Sequence, residues 1–242
     1  MAPKNGGDFE NAKRRTLFIL DVLGFPFRTE EQVDAPELKF EFKADGKEPV
    51  MTGHHAGCIT INIKEADPVE REKLRVNFNE PHRTLVGHFR HELGHYYWDR
   101  LVQGKKEFEF REQFGDERDP SYQKALSAYY ENGPAENWRQ NFVSAYASMH
   151  PWEDFAESFN VYLDMLSVLF TADHFEVVRN DLQDFDRMLT HYAQVGMIVN
   201  EINRDMGLID LVPEVFGPQI KEKLRFIHQL RTQQEVCTGT PG

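Results

Sequence analysis

Cysteine is nearly absent from this chain: Cys58 and Cys237 are the two in 242 residues, far apart in sequence and in no CxxC pair. That spacing argues against a disulfide framework and against a cysteine-built zinc site, and it favours a reducing compartment. Cys58 falls in an alternating apolar run and is expected to be a small buried hydrophobe. Long apolar runs are missing too. None approaches the roughly 18–20 residues of a membrane-spanning helix, and the first apolar run, 17–20, is too short for the core of a secretion signal. Basic charge is also scarce: 28 Lys and Arg against 40 Asp and Glu leave a net charge of −12. Binding to a phosphate backbone needs clustered cations, so a nucleic-acid partner is not expected. The short basic runs at 13–15 and 221–223 read as solvated helix faces. These absences together predict a soluble, cytoplasmic protein with neither a membrane nor a nucleic-acid partner. They leave its oligomeric state open.

Residues 1–8 and 238–242 are polar and glycine-containing, and both are expected to be loose ends. Between them, 11–23 has helical periodicity ended by Gly24 and Pro26. Strict alternation over 38–44 and again over 57–64 predicts two half-buried strands, and the small sheet has room for a third. Ile59, Ile61 and Ile63 share one face of the second run. After Glu65 the pattern is helical, broken at 79–81, 115–120, 132–134 and Pro151, with later helices over 152–170, 181–206 and 213–231. With no repeat and no low-complexity linker, the fold expected is one α+β domain over 1–242, mostly helical with a small amino-terminal sheet. A division near 175–186 is the weaker alternative.

The chemistry concentrates in His91-Glu92-Leu93-Gly94-His95, a complete HExxH. Apolar residues recur every three or four positions over 83–102 with no proline, so the motif is expected on an amphipathic helix. There, residues four apart have Cβ atoms about 5–6 Å from each other, and His91 and His95 can close on one zinc ion. Glu92 then lies beside the metal, placed to take a proton from a water that zinc has acidified. Glycine inside a helix costs about 1 kcal/mol relative to alanine, so Gly94 points to a close approach by another element or is simply tolerated. His88, three residues before His91, and Asp99, four after His95, extend the same face as supporting or packing residues. His54 and His55 read as loop. The Tyr96-Tyr97-Trp98 and Tyr129-Tyr130 sets read as core and cleft wall. The strand over 59–63, if it has an exposed edge, could hold an extended substrate by main-chain pairing.

A catalytic zinc keeps three protein ligands, so one donor is still owed. The helix opening at Pro151 is the best source. Trp152, Phe155, Phe159, Tyr162 and Leu166 form its apolar stripe, while Glu153, Glu157 and Asp164 line the neighbouring polar side. Glu153, 58 positions beyond His95, is the expected third ligand. Glu157, one turn on, would then accept the free N–H of a ligating histidine and fix its tautomer. The reverse assignment of the two glutamates stays open, and Asp154 and His150 are the weaker candidates.

Several segments resemble a bacterial family of zinc-binding metallopeptidases: RTLVGHFRHELGHYYWDR over 83–100, FGDE over 114–117, SAYASMHPWEDFAE over 144–157, and, upstream, Thr52-Gly53-His54 with ITINIKEAD over 59–67. The resemblance implies a zincin-like fold and one zinc per chain. Family members often carry an amino-terminal zinc ribbon with paired cysteines, which this sequence does not contain. The Glu153-x-x-Ala156-Glu157 pattern is also similar to that of lethal-factor-type gluzincins. That more distant likeness implies Glu153 as the ligand, Glu157 as its support, and a tyrosine seven residues earlier, Tyr146, near the reacting carbonyl. Tyr146 could equally be a core tyrosine.

The expectation is therefore a gluzincin-like zinc peptidase acting on a peptide or protein substrate, with His91, His95 and Glu153 on the metal, Glu92 as general base and Tyr146 at the oxyanion. One rival keeps the metal and discards catalysis, giving a silent zinc-binding regulatory or interaction module. A second is a plain helical interaction protein with a fortuitous motif.

Overall fold

A computed structural model describes residues 6–25, 37–77 and 83–238. The chain divides into two compact units, 1–108 and 109–242.

In the first unit, α1 (Gly6–Val22) is followed by β1 (Lys39–Lys43), β2 (Gly53–His55), β3 (Cys58–Asn62), α2 (Pro68–Asn77) and α3 (Leu85–Tyr97). Gly6, Gly7 and Asp8 already belong to α1, so of the loose start only 1–5 lies outside the described residues, as do the breaks at Pro26 and 79–81. The sheet has the order β1-β3-β2, with β1 parallel and β2 antiparallel to β3.

That order corrects the substrate-edge expectation. β3 is the central strand, hydrogen-bonded on both sides, so 58–62 has no free edge. It also moves His54 and His55 from a loop into β2. The cause is a two-residue hairpin: Ala56 and Gly57 both take positive φ, 46° and 84°, as a tight turn between right-twisted strands requires, and His55 faces Cys58 across it. His54 Nε2 accepts the Gly57 N–H at 3.0 Å and so ties the turn to the strand.

Ile59 and Ile61 are fully buried, whereas Cys58, on the other face of β3, is only half-buried, which corrects its reading as a core residue. Burial and the neighbouring Glu41 carboxylate push the Cys58 thiol up from its ordinary value. The strand stops at Asn62 because that side chain accepts the Lys64 N–H at 3.0 Å, turning 63–66 into a 3₁₀ helix. Phe89, Leu93, Tyr96 and Tyr97 from α3 fill the core of this unit with Leu20 and Leu23. Each such side chain contributes about 1.5–3 kcal/mol by burial.

The second unit is helical. After α4 (Glu107–Phe114) come α5 (Tyr122–Asn132), α6 (Trp138–Asn141), α7 (Pro151–His174), α8 (Phe185–Asp205) and α9 (Pro218–Thr238). Helix α7 begins where expected and runs to His174, its start fixed by Pro151 at the first turn and by His150 Nδ1, which accepts the Trp152 N–H at 3.1 Å. Phe155, Phe159, Tyr162, Leu163 and Leu166 of α7 are buried with Leu224 and Ile227 of α9. Helix α9 continues to Thr238, beyond the expected end at 231; residues 239–242 lie outside the described ones. No helix among the described residues is long and apolar enough to cross a membrane.

Candidate metal centre

Helix α3 is built for a precise start. Thr84 caps it, its Oγ1 accepting the Gly87 N–H at 2.9 Å, which sets the helical phase of the HExxH two turns on. The ring nitrogens of His91 and His95, both Nε2, lie 3.2 Å apart. Two ligands bound at 2.0–2.1 Å to a tetrahedral zinc are separated by about 3.3 Å. The imidazole pair is therefore spaced for a shared tetrahedral cation. His95 and Glu92 are buried, at 4% and 7% exposure. Gly94 is buried on the same helix.

Past Tyr97 the helix loosens into a π-helical turn over Trp98–Val102, closed by Gln103 N–H to Trp98 O at 3.0 Å. Such turns change which residues align along a helix. Here the turn brings Asp99 near His54, whose Nδ1 lies 3.8 Å from Asp99 Oδ2. Burial, aided by the charges of His95 and His55, pushes His54 down to about 4, so at neutral pH the contact joins a neutral imidazole to the carboxyl. Burial also raises Asp99 above its ordinary value. Because His54 Nε2 accepts from Gly57, its proton sits on Nδ1, facing Asp99.

His88 pairs with Glu65: Nδ1 to Oε2 is 3.0 Å, and both side chains are about 15% exposed, at 15% and 14%. Arg83 approaches the same carboxylate at 3.9 Å, and Arg71 donates to the Glu65 backbone carbonyl at 2.6 Å. Burial opposes ionisation of Glu65, but His88, Arg83 and Arg71 hold it below the ordinary carboxylate value. Sequence reasoning missed Glu65. Its only signal was membership of the 59–67 segment that resembles the metallopeptidases.

In the second unit, Glu153 occupies the first turn of α7, where a carboxylate suits the positive end of the helix, and it is 2% exposed. Tyr122, at the start of α5, donates its Oη hydrogen to Glu153 Oε1 at 2.9 Å. Tyr146 opens a 3₁₀ turn, Tyr146–Met149, rather than sitting in a longer helix. Burial, then the Glu153 charge, then Tyr122 hold its phenol well above the ordinary value, so it remains a neutral donor. Glu157, one turn beyond Glu153, is half-buried. Asp154 turns away from Glu153 to pair with Lys223 at 2.6 Å. His150 is spent on structure, capping α7 through Nδ1 and donating from Nε2 to the Glu117 carbonyl at 3.1 Å. Of the aromatic sets, Tyr96 and Tyr97 are core as expected, whereas Tyr130 is 69% exposed.

Residues 5–230 match the family described as "Putative zinc-binding metallo-peptidase". The chain belongs to that family. Its relatives include uncharacterized proteins of Mycobacterium tuberculosis and Mycobacterium bovis, each 40% identical over 230 residues, a stretch that covers 90% of this chain and 67% of the relative. No solved structure matches. The zinc-binding description of the family accords with the paired imidazoles of α3, a donor chemistry that suits zinc better than magnesium or calcium.

Proposed function

We propose that this family member is a zinc-dependent peptidase of gluzincin type, in which His91, His95 and Glu153 together hold one zinc ion. The observation that carries the reading is the 3.2 Å separation of the His91 and His95 ring nitrogens on a helix that bears Glu92 between them. The donor set that this reading assigns, two imidazoles and one carboxylate, suits zinc better than magnesium or calcium.

When bound, zinc lowers the pKa of water to about 7 and polarises a carbonyl. The chain's own groups do the rest. Glu92 takes a proton onto its carboxylate and later gives it to the departing amine, a role for which its burial beside the histidines suits it. Tyr146, kept neutral, donates a hydrogen bond to the oxygen on which negative charge develops. Glu157 and Asp99 support the ligating side chains. The partner in this reading is a peptide or protein substrate in the cytoplasm, and neither a membrane nor a nucleic acid takes part.

One observation favours a second reading. His95, Glu92 and Glu153 are all under 10% exposed, at 4%, 7% and 2%, as a zinc ion in a closed, non-catalytic module would have its surroundings. Glu92→Gln separates the two. In a peptidase this change keeps zinc near one per chain while hydrolysis of an unfolded protein falls by about 10²–10⁴-fold. A wild-type protein that retains zinc and cleaves no peptide is the silent module instead.

A further inference from the structure

We propose that Tyr122 is a positioning residue that sets how tightly Glu153 holds the metal, an inference that rests on the reading of Glu153 as a zinc ligand. Tyr122 lies 31 residues before Glu153 and opens a different helix, yet its hydroxyl is 2.9 Å from Glu153 Oε1. A carboxylate that accepts such a bond on one oxygen is fixed in rotation and presents its other oxygen to a cation. Groups of this kind, outside the ligands but hydrogen-bonded to them, typically govern metal affinity by 10–100-fold.

The phenol is itself held in place. Its ring meets His150 edge-on at 5.3 Å and Trp152 at 5.9 Å, and these two residues flank Pro151 at the start of α7. His150 is immobilised in turn by the Trp152 N–H and the Glu117 carbonyl. One short stretch, 150–153, thus supplies both the carboxylate and the walls that aim its donor. Glu153 is 2% exposed, so little water competes for the oxygen that Tyr122 occupies.

The arrangement also constrains Tyr146, whose phenol interacts with that of Tyr122. A tyrosine hydroxyl has one hydrogen. Tyr122 gives its hydrogen to Glu153, so toward Tyr146 it can act only as an acceptor. Tyr122 therefore links the ligand to the proposed oxyanion donor.

The test is zinc affinity by chelator competition in the full chain, for wild type, Tyr122→Phe, Glu153→Ala and the double variant, with His95→Ala as the metal-site control. Tyr122→Phe keeps the ring and its packing, and is expected to weaken zinc binding about 10–100-fold with unchanged thermal stability of the zinc-free protein. In the Glu153→Ala background the same change is expected to do nothing further, because Tyr122 acts through that carboxylate. Equal affinity in wild type and Tyr122→Phe overturns the proposal while leaving the metal site standing. So does an equal loss in both backgrounds, which marks a general packing effect. A wild-type chain whose zinc binding is absent or indifferent to His95→Ala overturns the ligand reading, and the role of Tyr122 falls with it.

Discussion

Asp154 and Lys223 form a buried ion pair, Oδ2 to Nζ 2.6 Å, with side-chain exposures of 0% and 2%. It ties α7 to α9 one residue after Glu153. Burial holds the Asp154 carboxyl above the ordinary range while Lys223 pulls the other way. Lys223 is further engaged by the Asn141 carbonyl at 2.8 Å and lies over the Phe142 ring at 4.1 Å.

Breaking such a pair from one side strands a charge in the core, whereas removing both partners does not. Lys223→Met and Asp154→Leu are each expected to cost about 3–5 kcal/mol in denaturant unfolding, and the double variant much less than the two together. Additive losses would show that the pair is not energetically coupled.

Chelation is the second test. A metal that binds only the folded chain stabilises it by about 2.7 kcal/mol when free zinc is a hundred times its dissociation constant. Wild type treated with a chelator should melt lower and regain its midpoint when zinc is restored. His95→Ala should melt at the same temperature with or without zinc. A wild-type midpoint indifferent to zinc contradicts the proposed centre.

The acid limb of stability should report Asp45. Its carboxylate is held down to about 2 from 3.8 by Lys64 first, then by the Val50 N–H, with Asn62 adding a third donor. A depressed folded-state pKa stabilises fully above the unfolded value and is lost as pH falls through the folded one. The thermal midpoint of wild type should therefore fall more steeply than that of Asp45→Asn between about pH 4 and pH 2. Parallel curves would dismiss the contribution.

Where sequence and structure agree, local rules were enough. The HExxH helix, the Pro151 start of α7 and the breaks near 115–120 and 132–134 follow from periodicity, proline and capping. A third strand was allowed for but not located, because its turn uses Ala56 at a positive φ where asparagine or glycine would have advertised a hairpin. Without β2 in place, an exposed edge on β3 stayed open. The candidate site divides in the same way. His91, Glu92 and His95 announce themselves by spacing within one turn, but Glu65 and Tyr122 meet their partners 23 and 31 residues away, across intervening elements. A lone glutamate or tyrosine carries no sequence signal for such a meeting. Asp99 was named from its place on the HExxH face, but its meeting with His54 was hidden for a further reason: the π-helical turn at 98–102 departs from the regular spacing that sequence reading assumes.

Tyr146 provides the most direct test of catalysis as distinct from metal binding. Its phenol stays neutral, since burial and the Glu153 charge both oppose ionisation, so it can give a hydrogen bond at any working pH. A donor that meets charge only as the reaction proceeds lowers the barrier without improving substrate binding. Tyr146→Phe should therefore reduce kcat by about 10²–10³-fold with KM nearly unchanged. Zinc content should hold, because the hydrogen bond from Tyr122 to Glu153 is left in place. Loss of zinc in Tyr146→Phe would recast Tyr146 as a support for the metal site, and unchanged turnover would return it to the core.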